Sequence, residues 1–260
     1  MINMVITAGG TIEDIDEVRK ITNTSTGLLG TFLCDEAIMY MEQNEIIDYR
    51  IHYIASTTAI KPELDEEALN RVAFYDVTNT DSVLQVILDI FSKQKIDFFI
   101  HCMAVSDFTT KHLIPIHTIA EEISNKLHDA PKENWIELIE DIINNPKETI
   151  NQEKKVSSKT DLILTLKKTS KIISILKEYN KDLFLVGFKL LKNVSEDELI
   201  EAASLLEEKD KCDLVLANDL QSIIEGNHIG LLIKNKEVIG RYEGKKNIAK
   251  AIIYQMLKGV

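Results

Sequence analysis

Apolar residues follow two alternating rhythms along this chain: short unbroken runs and periods of about four. Residues 4–8 form a run of the first kind and predict a buried strand. From 27 to about 43 the rhythm turns helical, with Leu29, Leu33, Ala37 and Met41 on one face. A second strand is expected over 50–55. Thr80 or Asp81 would then cap a helix carrying Val83, Val86, Ile87, Ile90 and Phe91. Residues 96–105 are almost wholly apolar, as in a strand covered on both faces.

The segment from about 111 to 155 breaks this rhythm. It is polar, it holds Pro115, Pro131, Pro146 and the lone Trp135, and its helical patches fall near 119–127 and 135–143. It is too short for a core of its own, so it reads as a flap of about 111–160 inserted into a single domain spanning 1–260. Alternation resumes with a strand over 161–166, a helix over 169–179 and a strand over 183–190. Ser195 with Glu198 forms a capping box, because hydroxyl and carboxylate can each satisfy an orphan amide. The helix it opens runs to about 209, and a strand over 213–217 follows. Asn235-Lys236 between 228–233 and 237–242 predicts a hairpin, and a last helix covers about 246–257. Strands separated by helices predict an α/β fold: a three-layer α/β/α Rossmann-like core with a mostly parallel sheet and a late hairpin.

Composition adds limits. The 260 residues suffice for one large domain. A hydrophobic share of 45% and a charged share of 28% are ordinary for a globular chain. The formal charge of −12 argues against general nucleic-acid binding but leaves room for a phosphorylated ligand held by a local cluster of donors. No apolar run reaches the ~20 residues of a membrane span. The chain starts on a strand-like run without a basic-then-apolar leader, which predicts a cytoplasmic protein. Cys34, Cys102 and Cys212 are widely spaced and predict reduced structural thiols.

Four polar groups sit where strands end, the place where open α/β sheets collect ligands. The first is Gly9-Gly10-Thr11 with Arg19, Asn23 and Ser25, a loop in which glycines let the backbone turn and approach a ligand. It is not a dinucleotide fingerprint, since residues 11–26 separate the glycines from the helix. That argues against a nicotinamide-dependent oxidoreductase, one rival reading; a non-catalytic nucleotide-binding regulator is another. The second group holds Asp107, which can bind a magnesium ion, accept from a ribose or base, or cap a turn. The third is Lys155-Val156-Ser157-Ser158, where the lysine either neutralises phosphate or belongs to a solvated face. The fourth pairs Gly187-Phe188-Lys189 with Ala217-Asn218-Asp219. Phe188 can stack on a base or pack in the core, Asn218 can fix an amide or carboxylate, and His101, Cys102 and Met103 read as strand core.

At these residues the chain resembles the phosphopantothenoylcysteine synthetases of coenzyme A biosynthesis. The stretch from Gly9-Gly10-Thr11-Ile12-Glu13 through Arg19 and Asn23 to Ser25-Thr26-Gly27 is similar to the signature of that family. Ala104-Val105-Ser106-Asp107-Phe108, the Lys155 motif, Gly187-Phe188-Lys189-Leu190 and Ala217-Asn218-Asp219-Leu220 resemble its later motifs, in the same order. The likeness is to the free-standing bacterial form, without the flavin-dependent decarboxylase that many bacteria fuse in front.

The resemblance implies a homodimer that joins 4′-phosphopantothenate to cysteine with CTP and Mg2+, through an acyl-cytidylate. ATP replaces CTP in eukaryotes. It implies that Asn23, Lys155 and Arg19 are catalytic. Gly9, Gly10, Thr11, Ser25, Asp107, Ser170, Phe188 and Lys189 would bind the nucleotide, with Asp107 also a candidate for the metal. Asn23, Asn218 and Asp219 would hold the substrate, part of whose site the partner subunit builds. Ser170 stands where the family has proline, and Lys209 and Lys211 lie near its nucleotide lysines without matching their register.

Overall fold

A computed structural model describes residues 1–151, 161–224 and 226–260. The chain runs β1 (Ile2–Ala8), β2 (Ile12–Asp14), β3 (Lys20–Thr22), α1 (Leu28–Gln43), β4 (Tyr49–Ser56), α2 (Glu66–Leu69), β5 (Val72–Val77), α3 (Thr80–Lys93) and β6 (Phe98–His101). Next come β7 (Phe108–Pro115), α4 (Ile116–His128), α5 (Trp135–Asn144), β8 (Leu162–Lys168), α6 (Ile172–Tyr179) and β9 (Phe184–Leu191). The last part holds α7 (Glu196–Asp210), β10 (Leu214–Asp219), α8 (Leu220–Ile224), β11 (Ile229–Lys234), β12 (Glu237–Glu243) and α9 (Lys245–Leu257). Two compact units result. The first comprises Met1–Thr11, Asn23–Val105 and Ser170–Val260, and the second Ile12–Thr22 and Ser106–Thr169.

The first unit is built on an eight-stranded sheet in the order β12-β11-β10-β9-β6-β1-β4-β5. The six strands from β5 to β10 pair in parallel, and β11 and β12 add an antiparallel edge. This is the predicted mostly parallel α/β sheet with a late hairpin. Alternate residues of each central strand enter opposite layers. Met4, Ile6, Ile51, Tyr53, Ile100 and Leu216 pack with α1 and α9. Val5, Ile54, Phe99, Leu185 and Val215 pack with α3, α6 and α7. The turn at Asn235-Lys236 has φ of 54° and 64°, the backbone that matches the twist of a two-residue hairpin. Ser195 and Glu198 form the expected capping box on α7. The cap of α3 is Asn79 rather than Thr80 or Asp81: its side chain accepts from Ser82 N–H at 2.9 Å.

The second unit joins two segments distant in sequence. β2 and β3 form a small hairpin inside the loop that follows β1. β7 pairs antiparallel with β8, and α4 and α5 close one side around Ile114, Ile119 and Ile142. The expected helices of the inserted segment are present. The strand expected over 161–166 is also present, but it pairs with β7 instead of continuing the parallel alternation.

Burial sets one stability expectation. His101 lies in the central strand β6, 9% exposed, beside Thr7 Oγ1 at 3.3 Å. Burial lowers its pKa to about 4, against a weaker opposing pull from Asp210. The unfolded chain takes up this proton near pH 6.5 and the folded chain only near 4. Between those values the unfolded state binds more protons, so stability falls as pH falls. Above pH 6.5 the group contributes nothing to the slope. At the acid end the loss is about 3 kcal/mol. Urea midpoints at pH 7 and pH 4.5 should differ more in the wild type than in His101→Gln; equal differences would refute this.

Candidate functional site

In the first unit the strand order reverses between β1 and β6, and such reversal points open a crevice beyond the strand ends. Three segments are stitched together there. Gly10 and Ala104 form a parallel bridge. Ala104 N–H donates to the Gly9 carbonyl at 2.9 Å, and Thr11 N–H donates to the Ala104 carbonyl at 3.1 Å. The Asn23 side chain then donates through Nδ2 to the same Ala104 carbonyl at 3.0 Å. Asn23 N–H donates to Thr11 at 3.3 Å, and Ser25 N–H to Asn23 at 3.1 Å.

The two glycines serve this stitching. A Cβ on Gly9, whose φ is +88°, would fall 2.2 Å from Ser56 Oγ. One on Gly10 would fall 2.3 Å from the Asn23 carbonyl oxygen. The space that side chains would need is filled by the protein itself. The glycines thus press the loop onto β4 and fix Asn23, while Thr11 is buried.

Beside this knot lies a hollow of about 360 Å³. Its walls are residues 24–29 leading into α1, 102–104 after β6, 188–190 at the end of β9, and Asn218 at the end of β10. Leu220, Ile223, His228 and Lys245 complete it. Ser25, Phe188, Lys189 and Asn218 are thereby brought together, as four of the candidate ligand-binding residues. Phe188 is half-buried and also packs on the α1–α9 layer. Asn218 is held by donating through Nδ2 to the Ile229 carbonyl at 2.7 Å. Gly27, the N-cap of α1, has φ 76° and no side-chain cap, so a helix start with no acidic residue in its first turn borders the hollow. That setting favours anions.

Three more lining residues carry chemistry: His228 and Lys245, which the sequence did not single out, and Cys102, which read as strand core. Burial pushes the Cys102 thiol up to about 12, with Lys245 acting in the opposite direction. Burial, and after it the Lys245 ammonium, holds the His228 imidazole below the ordinary histidine range. For Lys245 the local signal was the glycine before it at a helix start.

Within the first unit, other candidates are not part of this lining. Asp219 accepts from the Asn193 and Gln221 amides at 3.0 and 3.1 Å, and it borders a second hollow of about 180 Å³ with Ser195 and Arg241. Ser170 is exposed ahead of α6, and Lys209 and Lys211 are exposed at the end of α7. In the second unit, Asp16 is buried and accepts from Val18 and Arg19 N–H at 2.9 and 2.7 Å, with Arg19 Nε at 3.7 Å. Asp107 is exposed, and its carbonyl accepts from Thr169 N–H at 3.1 Å. Lys155 falls outside the described residues. Among the described residues no group of three or more His, Cys, Asp or Glu could hold a metal ion. No described helix is long and apolar enough to cross a membrane.

Comparison with known proteins agrees with this architecture. The chain is similar to the DNA/pantothenate metabolism flavoprotein from Streptococcus pneumoniae, a crystal structure with 30% identity, 99% of each chain covered and a TM-score of 0.77. The complex of a Cab2 mutant with phosphopantothenate-cysteine shares the fold, with a TM-score of 0.66 at 16% identity over 99% of this chain and 85% of that one. Among curated proteins, the coenzyme A biosynthesis bifunctional protein CoaBC of Thermococcus kodakarensis is 28% identical over 84% of this chain. That of Methanocaldococcus jannaschii is 26% identical over 98%. The chain spans 41% and 50% of those two relatives' lengths. The sequence profile of the DNA/pantothenate metabolism flavoprotein C-terminal domain matches residues 2–118 and 120–260, and the chain belongs to that family.

Proposed function

We propose that this chain is a phosphopantothenate–cysteine ligase of coenzyme A biosynthesis, with CTP as the activating nucleotide. The observation that carries this reading is the hollow at the strand reversal. Among the described residues two lysines, an uncapped helix start and no carboxylate line it, beside an aromatic ring. Such a wall suits a substrate with anionic ends and a nucleotide with a flat base. The names of the CoaBC relatives and the ligand of the Cab2 complex support the same reading.

The chemistry needs activation, because a carboxylate is a poor acyl donor. A carboxylate oxygen of 4′-phosphopantothenate attacks the α-phosphorus of CTP, and the bond to pyrophosphate breaks. The cysteine nitrogen then attacks the acyl carbon, the C–O bond breaks and CMP leaves with the electron pair. The first step brings two anions together and the second develops negative charge on the acyl oxygen and the departing phosphate, which fixed ammonium groups and amides offset. Magnesium enters with the triphosphate as part of the substrate complex, in keeping with an ion that binds through phosphates and one or two carboxylates at most. Asp107 is the candidate for that carboxylate. We place the enzyme in the cytoplasm as a homodimer.

Pyrophosphate release should depend on 4′-phosphopantothenate and magnesium, and amide formation should depend on cysteine as well. Run with CTP and ATP in parallel, the assay should favour CTP. A preference for ATP would correct the nucleotide, and no release with either would overturn the ligase.

A further inference from the structure

We propose that His228 is the proton acceptor for the incoming cysteine amine, a role that rests on the ligase reading above. His228 is among the residues that line the hollow, with Asn218, Lys189 and Lys245. Its Nε2 is buried and has no hydrogen-bond partner among the described residues. Among the described residues nothing therefore uses this polar atom, although such atoms are nearly always satisfied. The backbone holds the residue in place. His228 has a left-handed φ of 39°, an uncommon conformation for a side chain other than glycine. It is pinned on both sides: its N–H donates to the Ser222 carbonyl at 3.1 Å, and its carbonyl accepts from Gly244 N–H at 3.0 Å. The next residue, Ile229, accepts from Asn218.

Elimination points to the same group. Cysteine reaches the enzyme as an ammonium, which has no lone pair and cannot attack an acyl carbon. Some group must take its proton. Among the described residues no Asp or Glu lines the hollow. An ammonium cannot accept a proton, and hydroxyls and amides are too weakly basic to do so. The Cys102 thiol is held protonated by its surroundings. His228 remains, and the titratable groups on the wall with it are Lys189, Lys245 and Cys102. Burial and Lys245 keep its imidazole uncharged at neutral pH, the form that accepts. In the step itself, a proton passes from the ammonium to the imidazole. The nitrogen lone pair then forms the C–N bond, and the nucleoside monophosphate departs as the C–O bond breaks. The second N–H proton is lost to solvent as the amide forms.

The test separates the two half-reactions in His228→Gln and His228→Asn. Cysteine-independent pyrophosphate release should stay within a few-fold of wild type. Amide formation should fall by about 10²–10⁴-fold, the usual contribution of a general base, and acyl-nucleotide should accumulate. Hydroxylamine, which is uncharged at neutral pH, should be acylated by both variants at nearly the wild-type rate. The acidic limb of the wild-type rate profile should vanish from the variants. Wild-type amide formation in either variant would overturn the assignment. So would equal loss of both half-reactions, or a loss with hydroxylamine as large as that with cysteine. Absence of amide in the wild type would instead remove the ligase reading.

Discussion

Asn23→Asp should slow amide formation by about two to three orders of magnitude, the scale seen when one donor to a developing oxyanion is lost. The acyl-nucleotide should build up as a result. Asn23 donates through Nδ2 to the Ala104 carbonyl and sits between Ser25 and Ala104, both of which line the hollow. A carboxylate in its place has no donor and sets two anionic oxygens against a carbonyl oxygen. Ala104 keeps its bond from Thr11, so its carbonyl is not orphaned. The cost to the fold is therefore about 1–2 kcal/mol, within the 5–15 kcal/mol typical of a domain. The cost to chemistry is larger, because amine attack puts negative charge on the acyl oxygen and a nearby carboxylate opposes it. Asn23→Ala removes the bond without adding charge and should fall between wild type and Asn23→Asp. Rapid-quench analysis with labelled nucleotide gives both rates, and a thermal melt checks the fold. Equal amide rates in all three proteins would end this role for Asn23.

The parallel core was legible because its strands are buried on both faces. Runs such as 4–8 and 96–105 carry little polar alternation, the composition of a strand covered on both faces, although β6 takes up only Phe98–His101 of the second. The Ser195 box and the Asn235-Lys236 turn were legible because their chemistry is local. The second unit was not. β2 and β3 have three residues each, too few to show a period, and their pairing fixes residues that read simply as a loop. β7 alternates weakly, and its partner β8 lies beyond two helices, so neither strand announces the other.

The site divides in the same way. Ser25, Phe188, Lys189 and Asn218 follow strands or loops that the sequence reveals, and strand ends are where ligands gather. His228 and Lys245 reach the hollow only through the order β10-β11-β12 and the return of α9 across the sheet, which no short motif encodes. Gly9 and Gly10 had the opposite fate. Their need for space was legible as a glycine pair, but whether protein or ligand fills that space depends on how Asn23, later in the same loop, and Ser56, at the end of β4, fold back onto them.

Lys189→Met combined with Lys245→Met should weaken substrate binding strongly while leaving the fold intact. Neither lysine makes an ion pair among the described residues. Methionine keeps the apolar stem against the wall, so the change is mainly one of charge. A hydrogen bond to a charged group contributes about 1.5–3 kcal/mol. Removing both should therefore raise KM for the phosphorylated substrates by about a hundredfold to ten-thousandfold, and each single variant by about the square root of that. Added salt should raise the wild-type KM more than that of the double variant, since screening acts on charge that the variant no longer has. Lys245→Met carries a second signature. The ammonium of Lys245 helps hold His228 below the ordinary histidine range. Without it, the acidic limb of the rate profile should move toward higher pH, whereas Lys189→Met should leave that limb in place. An unchanged KM in the double variant would show that the anionic ends of the substrates lie elsewhere. An unmoved limb in Lys245→Met would uncouple the lysine from the histidine.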